Sequence, residues 1–319
     1  MKKLLLLLAL AVAALQALAQ SDFPNKPVTF VVATPAGGAT DKAVRLVART
    51  LQARWKQTII VENRAGASGN IASAYVAKAA PDGYTLLVSA GPFAINPSLF
   101  KTLPFDTKKD FVPAAQFSGF SNVLLVHESF PAKTFNEFLA IAKNPSKPLA
   151  YASPGSGTAQ HLTMELLRGP LKLNLIHIPY KGGAPAMNDL LAGHVPVMLA
   201  GMGDASPHLG GGRVRALATT GKVRSPLLPQ VPTFQELGIM DFDSSGWNGL
   251  HAPAGTPAAL ISKINSDVDA ALADPEVRKG MAAMDIEPRP LSVAEFKAFM
   301  DQQFARWKEA VDISGASAD

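Results

Sequence analysis

The chain is organised around the stretch Val31-Val32-Ala33-Thr34-Pro35-Ala36-Gly37-Gly38-Ala39-Thr40-Asp41. Its apolar start is typical of a buried strand, which ends at a proline and two glycines before Thr40 and Asp41 open a helix. Glycine lets the backbone approach a ligand closely, and a helix N-terminus presents unpaired N–H groups and a positive dipole end. The stretch therefore predicts an anion site that is made by main-chain amides and needs no charged side chain.

The first residues have the pattern of an export signal. Lys2 and Lys3 precede the apolar run Leu4–Leu15, and Ala17-Leu18-Ala19 has the small-x-small form of a cleavage site. The apolar run is shorter than the roughly 20 residues that a membrane span needs; the alternative is a retained anchor. We therefore expect a signal peptide over residues 1–19, cleavage after Ala19 and a mature protein in the periplasm.

Composition is typical of a two-lobe globular protein without thiol chemistry. The chain has 319 residues, of which 48% are hydrophobic and none is cysteine, a length that suits two units of roughly 100–200 residues. The formal charge of +5 falls to +3 without Lys2 and Lys3, because 28 basic residues then face 25 acidic ones. No dense basic run with interleaved aromatics occurs, so nucleic acid is not an expected partner.

Three strand-loop-helix units in the first part of the chain predict a parallel sheet. The strands are expected at 28–33, 58–62 and 85–89, and the loop at 90–97 contains Gly91, Pro92, Phe93 and Ala94. Strands that alternate with helices pair in parallel through right-handed crossovers. The three following loops should therefore lie together on the carboxyl edge of one sheet, where open α/β folds bind ligands.

The same arrangement recurs further along the chain. A strand at 149–152, the flexible loop 153–157 and a helix capped by Thr158 repeat the opening pattern. Later strand ends carry Gly182-Gly183-Ala184 and Gly203-Asp204, and strands at 122–127 and 242–252 are expected to cross between lobes.

The predicted fold is an α/β clamshell in which each lobe is a mixed, mostly parallel sheet flanked by helices. Lobe 1 is expected to comprise residues 23–123 and 246–313, and lobe 2 residues 124–245. Residues 314–319 are expected to form a frayed tail.

Enzymatic motifs mostly fail in this sequence. Gly155-Ser156-Gly157 is not a nucleophile elbow, the dinucleotide fingerprint breaks at Gln160, and no phosphate-binding P-loop occurs. His161 and Glu165 form one weak metal-ligand pair, and His161 packing beneath its own loop is the simpler interpretation. A secreted hydrolase that uses Ser156 and His161 stays open as an alternative, and no cofactor or metal is predicted.

Two other residues have open interpretations. Arg64 is either a bidentate carboxylate ligand or an exposed arginine with a local partner. Trp247 is either core or hinge packing, or a wall of the ligand site.

Several blocks, in this order, carry a family resemblance over residues 23–311. They are Pro35-Ala36-Gly37-Gly38-Ala39-Thr40-Asp41; Val61-Glu62-Asn63-Arg64-Ala65-Gly66-Ala67-Ser68-Gly69-Asn70; Pro81-Asp82-Gly83-Tyr84-Thr85-Leu86; Tyr151 through Leu162; Ile178-Pro179-Tyr180-Lys181-Gly182-Gly183-Ala184; and Trp247-Asn248-Gly249-Leu250-His251-Ala252-Pro253-Ala254-Gly255-Thr256-Pro257. The chain resembles the substrate-binding receptors of tripartite tricarboxylate transporters, the Bug family of extracytoplasmic solute receptors.

The resemblance implies a type II periplasmic binding fold that closes on a small carboxylate and presents it to membrane transporter subunits. It implies a non-catalytic protein, monomeric, whose ligand is held largely by amides and water; a sensory partner with the same fold is the alternative. Many members have proline directly before the double glycine, where this chain has Ala36. The residues expected to bind the ligand are Ala36, Gly37, Gly38, Ala39, Thr40, Asp41, Gly91, Pro92, Phe93, Ala94, Ser156, Gly157, Thr158, Ala159, His161, Gly182, Gly183, Ala184, Gly203 and Asp204.

Overall fold

The computed structural model describes residues 23–239 and 244–318. The expected signal peptide over residues 1–19 and its cleavage point lie outside the described residues. The same holds for the first residues of the crossing strand expected at 242–252.

The first part of the chain builds lobe 1. Its elements are β1 (Val28–Val32), α1 (Ala39–Trp55), β2 (Ile59–Asn63), α2 (Asn70–Val76), β3 (Thr85–Ala90), α3 (Gly91–Leu99) and β4 (Phe111–Phe120), with a 3₁₀ turn at Ala67–Gly69. β1 pairs in parallel with β2 and with β3, so the loops after these three strands lie on one edge of the sheet.

The middle of the chain builds lobe 2. Its elements are β5 (Asn122–His127), α4 (Phe135–Ala142), β6 (Leu149–Ser153), α5 (Ala159–Leu171), β7 (Leu175–Pro179), α6 (Gly183–Leu191), β8 (Val197–Gly201), α7 (Met202–Ala205) and β9 (Val214–Thr219), with a 3₁₀ turn at Ser206–His208. β6 is parallel to β7 and β8, whereas β5 is antiparallel to β8 and β9.

The chain then returns to lobe 1. It adds β10 (Gly246–Pro253), α8 (Ala258–Leu272), α9 (Pro275–Ala282), β11 (Glu287–Pro288) and α10 (Val293–Ser314). The six-stranded sheet of lobe 1 has the order β11-β4-β10-β3-β1-β2, and the five-stranded sheet of lobe 2 has the order β7-β6-β8-β5-β9. Two mixed sheets flanked by helices confirm the predicted fold class.

Local sequence signals explain how these helices begin and pack. Thr158 accepts a hydrogen bond from the His161 amide at the start of α5, and Ser292 forms a capping box with Glu295 at the start of α10. The apolar stripe of α1, which includes Val47 and Leu51, is fully buried in the core of lobe 1.

The structure differs from the sequence prediction at three places. β4 was not predicted, although it is a ten-residue strand beside β10. The expected loop at Gly91 is instead the first turn of α3. The chain crosses between the two sheets at Ser121, just before the predicted boundary at 123, since Phe120 pairs in lobe 1 and Asn122 pairs in lobe 2.

The C-terminal tail also differs from the expectation of fraying. Gly315 caps α10 in a left-handed conformation, with φ 64°. The amide of Ala318 donates to the carbonyl oxygen of Leu99 over 3.1 Å. The tail is therefore hydrogen-bonded to α3 as far as residue 318.

Candidate functional site

A cavity of about 250 Å³ lies between the two lobes. Lobe 1 lines it with Ser68, Ala90, Gly91, Pro92, Ile95, Asn96 and Leu99; lobe 2 with Ser156, Gly157, Thr158, Ala159 and Gln160; and the crossing segments with Phe120, Asn122 and Gly246. A second cavity, of about 290 Å³, lies within lobe 1 and shares Ser68, Ala90 and Pro92 with the first. The two cavities therefore adjoin.

The loop of lobe 1 between β1 and α1, here called jaw 1 (residues 34–41), borders the second cavity through Thr34 and Pro35. Ala36, Gly37, Gly38 and Ala39 line neither cavity and are exposed. The amides of Gly38, Ala39 and Thr40 make no hydrogen bond to other described residues, and no side chain caps α1. Jaw 1 therefore keeps unpaired amides at a helix N-terminus.

The Asp41 side chain shapes jaw 1 rather than facing a ligand. Its carboxylate is buried and accepts hydrogen bonds from the Gly37 amide (2.9 Å), Arg45 Nε (3.0 Å) and Asn63 Nδ2 (2.9 Å). Burial alone would raise the pKa of Asp41, but these hydrogen bonds together lower it. In the structure this carboxylate holds jaw 1 in place, and its expected ligand contact stays a prediction.

The Thr40 side chain is likewise engaged inside lobe 1. Its hydroxyl donates to Asn248 Oδ1 on β10 over 2.8 Å. Asn248 in turn donates from Nδ2 to Ser118 on β4 over 2.8 Å. This chain of bonds ties the start of α1 to the central strands and uses the hydroxyl proton, so the amide is the donor of Thr40 that stays free.

The corresponding loop of lobe 2, here called jaw 2 (residues 153–161), uses the same arrangement. The Gly157 amide donates to His161 Nδ1 over 3.1 Å, and Thr158 Oγ1 donates to the Gly155 carbonyl over 2.7 Å. The amides of Ala159 and Gln160 have no partner within the described chain, and both residues line the interlobe cavity. Jaw 2 therefore keeps unpaired amides at a helix N-terminus, on residues that line the cavity.

His161 supports jaw 2 from beneath, as the simpler interpretation of the sequence has it. Its ring stacks on His177 with centroids 3.8 Å apart and planes at 13°. Burial lowers the pKa of both histidines to about 4, with Arg168 contributing at His161 and His161 contributing at His177. Both rings are therefore neutral at pH 7, which leaves His161 Nδ1 able to accept a hydrogen bond.

This geometry also removes the hydrolase alternative. Because Nδ1 of neutral His161 accepts the Gly157 amide, Nε2 carries the proton and cannot take one from Ser156. The nearby acid, Glu165, is engaged by the Tyr151 hydroxyl (2.9 Å) and by Arg168 (3.2 Å). No Ser-His-acid relay is formed.

A third loop, between β2 and α2, contributes Ser68 to both cavities. The sequence placed this loop on the ligand-binding edge of the sheet, but Ser68 was not among the expected ligand contacts. Ala67 and Ser68 have φ of 45° and 53°, values that L-residues rarely adopt. Asn96 Nδ2 holds this loop by donating to the Ser68 carbonyl (2.9 Å) and to Asn70 Oδ1 (2.7 Å). Asn96 lies on α3, which was predicted as loop, so the sequence offered no signal for this clamp.

Of the residues expected around Gly91, only some face open space. Gly91 and Pro92 line the interlobe cavity at the start of α3. Phe93 lines the lobe 1 cavity, with its ring 4.6 Å from that of His251. Ala94 is 1% exposed and belongs to the core, so its side chain is not at the site.

The remaining predicted residues of lobe 2 lie outside both cavity linings. Gly182, Gly183 and Ala184 lie at the start of α6, and Gly203 and Asp204 lie at the start of α7. They share the carboxyl edge of the sheet with jaw 2, since β6 is parallel to both β7 and β8.

Arg64 and Trp247 have structural roles. Arg64 Nε donates to Glu62 over 2.7 Å, and its guanidinium lies 3.7 Å from the centre of the Tyr75 ring. Trp247 is 1% exposed and packs against Phe296 in the core of lobe 1.

Two further features limit the chemistry of the site. Across residues 23–239 and 244–318, no group of three or more His, Cys, Asp or Glu side chains could hold a metal ion. In the same ranges, no helix is long and apolar enough to cross a membrane.

Comparison with known proteins agrees with this architecture. The sequence model of the tripartite tricarboxylate transporter family receptor matches residues 43–315. BugT of Bordetella pertussis is 35% identical over 298 residues, which cover 92% of this chain and 91% of BugT.

Two solved structures of relatives from Rhodopseudomonas palustris contain carboxylates. The structure of Rpa4515 with adipate has a TM-score of 0.77 at 30% identity, covering 92% of this chain and 99% of that one. The structure of MatC with bound malate has a TM-score of 0.72 at 33% identity, covering 91% of this chain and 100% of that one.

The matched family and these neighbours are solute receptors rather than enzymes, as the failed catalytic motifs predict. The ordered sequence blocks, the two mixed sheets and the family match all agree. The chain therefore belongs to the tripartite tricarboxylate transporter family of receptors, the group that includes the Bug proteins.

Proposed function

We propose that this protein is a periplasmic receptor that binds a small mono-, di- or tricarboxylate in the interlobe cavity and delivers it to the membrane subunits of a tripartite transporter. The observation that carries the proposal is the pair of unpaired amides at Ala159 and Gln160, two residues that line that cavity. The relatives that hold adipate and malate support a carboxylate as the ligand class.

The composition of the cavity wall supports main-chain recognition. None of the described residues that line the interlobe cavity is charged. An anion there must therefore be stabilised by dipoles and hydrogen-bond donors, and the N-terminus of α5, whose first residues line the cavity, supplies both. The expected ligand contacts at Ala159 and Gly91 fit this proposal best, whereas Pro92 has no backbone N–H and can contribute only apolar contact.

Side chains introduced at two glycines test the proposal. A Cβ at Gly91 meets nothing within 4 Å, and one at Gly38 meets only the Pro35 carbonyl at 3.5 Å. Gly91→Val should fill part of the interlobe cavity, and Gly38→Val should obstruct the jaw 1 amides, while both variants stay folded. We expect at least a tenfold loss of affinity by calorimetry, using malate, adipate and citrate as probes.

Gly210→Val is the matched control, because a Cβ there also meets nothing within 4 Å and the residue lines neither cavity. Undiminished affinity in both Gly91→Val and Gly38→Val would contradict binding at this place. Thermal stabilisation by sugars or cations only, with no carboxylate effect, would contradict the ligand class.

Export, transport and oligomeric state are proposals with separate tests. Mass spectrometry of the protein from the periplasm should show a chain that starts at Gln20. Uptake of the bound carboxylate should depend on both the receptor and the transporter subunits, whereas a sensory partner would leave uptake unchanged. Light scattering should give a monomer.

A further inference from the structure

A polar corner lies at the edge of the interlobe cavity, around Gly201 at the end of β8. A Cβ at Gly201 would lie 3.7 Å from Gln160 Nε2, 3.9 Å from Asp204 Oδ2 and 4.0 Å from Asn122 Oδ1. Gln160 and Asn122 line the cavity. Asp204 is an exposed residue outside the cavity lining, and its carboxylate lies beside this corner.

The two amides direct their donors at protein atoms. Gln160 Nε2 donates to Asn122 Oδ1 over 3.0 Å, and Asn122 Nδ2 donates to the Ser244 carbonyl over 2.8 Å. The Asp204 carboxylate, by contrast, makes no hydrogen bond or ion pair with any residue in the described ranges. The group at this corner that can still form hydrogen bonds is therefore a negatively charged acceptor.

Asp204 also occupies the end of α6. A side chain at Gly183, the first residue of α6, would collide with Asp204 Oδ2. The positive end of α6 consequently faces the Asp204 carboxylate and not a ligand anion. Gly183, one of the expected ligand contacts, therefore lies against this acidic side chain.

The surroundings of Asp204 leave its charge without a counter-ion from the protein. The protein around it partly removes the carboxyl from water, which raises its pKa. Asp41 in jaw 1 differs, because Arg45 is its ion-pair partner. A hydrogen-bond donor on the ligand would pair with the Asp204 carboxylate as Arg45 pairs with that of Asp41.

We propose that Asp204 makes the site selective for carboxylates that also carry a hydrogen-bond donor, an ammonium or a hydroxyl group, at the end that faces lobe 2. This inference rests on the proposed function, because it assumes that the ligand lies in the interlobe cavity. A plain dicarboxylate would place an anion beside Asp204 and bind more weakly. An amino- or hydroxy-carboxylate would satisfy the acceptor.

Calorimetry with matched ligand series tests the inference. Succinate, malate and aspartate share one skeleton and differ only in having no added donor, a hydroxyl or an ammonium group. Glutarate, 2-hydroxyglutarate and glutamate extend the comparison by one carbon, and adipate with 2-aminoadipate extends it by two. In at least one series, we expect a donor-bearing member to bind the unaltered protein at least tenfold more tightly than the plain dicarboxylate.

The variant Asp204→Asn separates selectivity from stability. Asparagine keeps the shape and removes the charge, so the affinity for the plain dicarboxylate should rise while that for the donor-bearing member falls, and the ratio should approach one. Asp301→Asn on α10 is the matched control, because Asp301 is an exposed carboxylate paired only with Lys297. It should leave the ratio unchanged.

The outcomes distinguish this inference from the proposed function. If a plain dicarboxylate binds as tightly as its donor-bearing analogues, or if Asp204→Asn leaves the ratio unchanged, the inference is overturned and the receptor function stands. If no carboxylate in any series binds, the proposed function and the inference both fail.

Discussion

The amide of Gly157 donates to Nδ1 of His161 over 3.1 Å, and the amide of Gly37 donates in the same way to Oδ2 of Asp41 over 2.9 Å. In each jaw, a side chain on the first turn of the helix thus captures the glycine amide four residues before it. This fixes the loop against its own helix, and within the described part of the chain the amides of Gly38, Ala39 and Thr40 in jaw 1 and of Ala159 and Gln160 in jaw 2 stay unpaired. A carboxylate in lobe 1 and an imidazole in lobe 2 thus both accept a hydrogen bond from a loop amide.

Replacing the imidazole of His161 should weaken ligand binding. In His161→Ala the buried amide of Gly157 loses its acceptor. The unsatisfied amide should destabilise the conformation of jaw 2 by about 1–3 kcal/mol. In His161→Asn the side-chain oxygen can take the place of Nδ1 and should restore most of the affinity. Calorimetry with the best carboxylate probe measures both variants, and equal affinities for alanine and asparagine would show that the bond does not position jaw 2.

Acidification should destabilise the protein through the stacked histidines. His161 and His177 have pKa values of about 4 in the folded protein, against about 6.5 when unfolded. The unfolded chain therefore takes up protons first, so the stability is fully present above about pH 6.5 and is lost as the pH falls towards 4. Each histidine contributes at most about 1.4 kcal/mol per pH unit in this window.

Urea unfolding at pH 7.5 and pH 5.0 measures this effect, with His177→Phe as the comparison. Asp285 acts in the opposite direction, because burial and the charge of Glu287 raise its pKa to about 6 and its protonation favours the folded state on acidification. Both proteins contain Asp285, so its contribution cancels when their losses of stability are compared. The variant should lose less stability between the two pH values, and identical losses would contradict the assignment.

The close approach of the lobes at Gly157 predicts a compensating pair. Gly157 has a φ of +74°, and a Cβ there would lie 2.7 Å from Leu99 Cδ2 in lobe 1. Gly157→Val should reduce carboxylate affinity at least tenfold, because the side chain separates the lobes and strains the backbone. Adding Leu99→Ala should restore the part of the affinity that is lost through the collision with Leu99. Additive effects of the two substitutions in a double-mutant cycle would contradict this contact.

Removing the clamp on the Ser68 loop should have a separate effect. Asn96→Ala frees the Ser68 carbonyl and the left-handed residues Ala67 and Ser68. We expect a stability loss of about 1–3 kcal/mol and faster proteolysis between residues 65 and 70. Asn188→Ala on α6, outside both cavity linings, serves as the control for loss of a helical asparagine.

The strands and helices that could be predicted are those that local chemistry determines. β1 is a run of β-branched and aromatic residues, and α5 and α10 begin at Thr158 and Ser292, where the sequence places caps. β4 was missed because Pro113 and Gly119 interrupt it and its support comes from β10, far away in the chain. α3 was missed because it begins with Gly91-Pro92 and contains Pro97.

The candidate site likewise has a part that could be predicted from the sequence and a part that could not. Glycines that follow strands could be placed at the carboxyl edge of their own sheet from the topology alone, as with Gly91 in lobe 1 and Gly157 in lobe 2. The role of a polar side chain could not, because Asp41 and His161 turn inward to loop amides and Asp204 turns towards α6. Such choices depend on neighbours that only the folded chain brings together.

The unpaired amides at the helix N-termini have a consequence for the divergence of this family of genes. An amide belongs to every residue except proline, so a point mutation in a jaw changes the side chain and leaves the donor in place. After a gene duplication, one copy can exchange cavity-lining residues such as Gln160 without first losing its hold on the anion. New ligand preferences can thus evolve by single substitutions, each of which leaves a protein that still binds the anion.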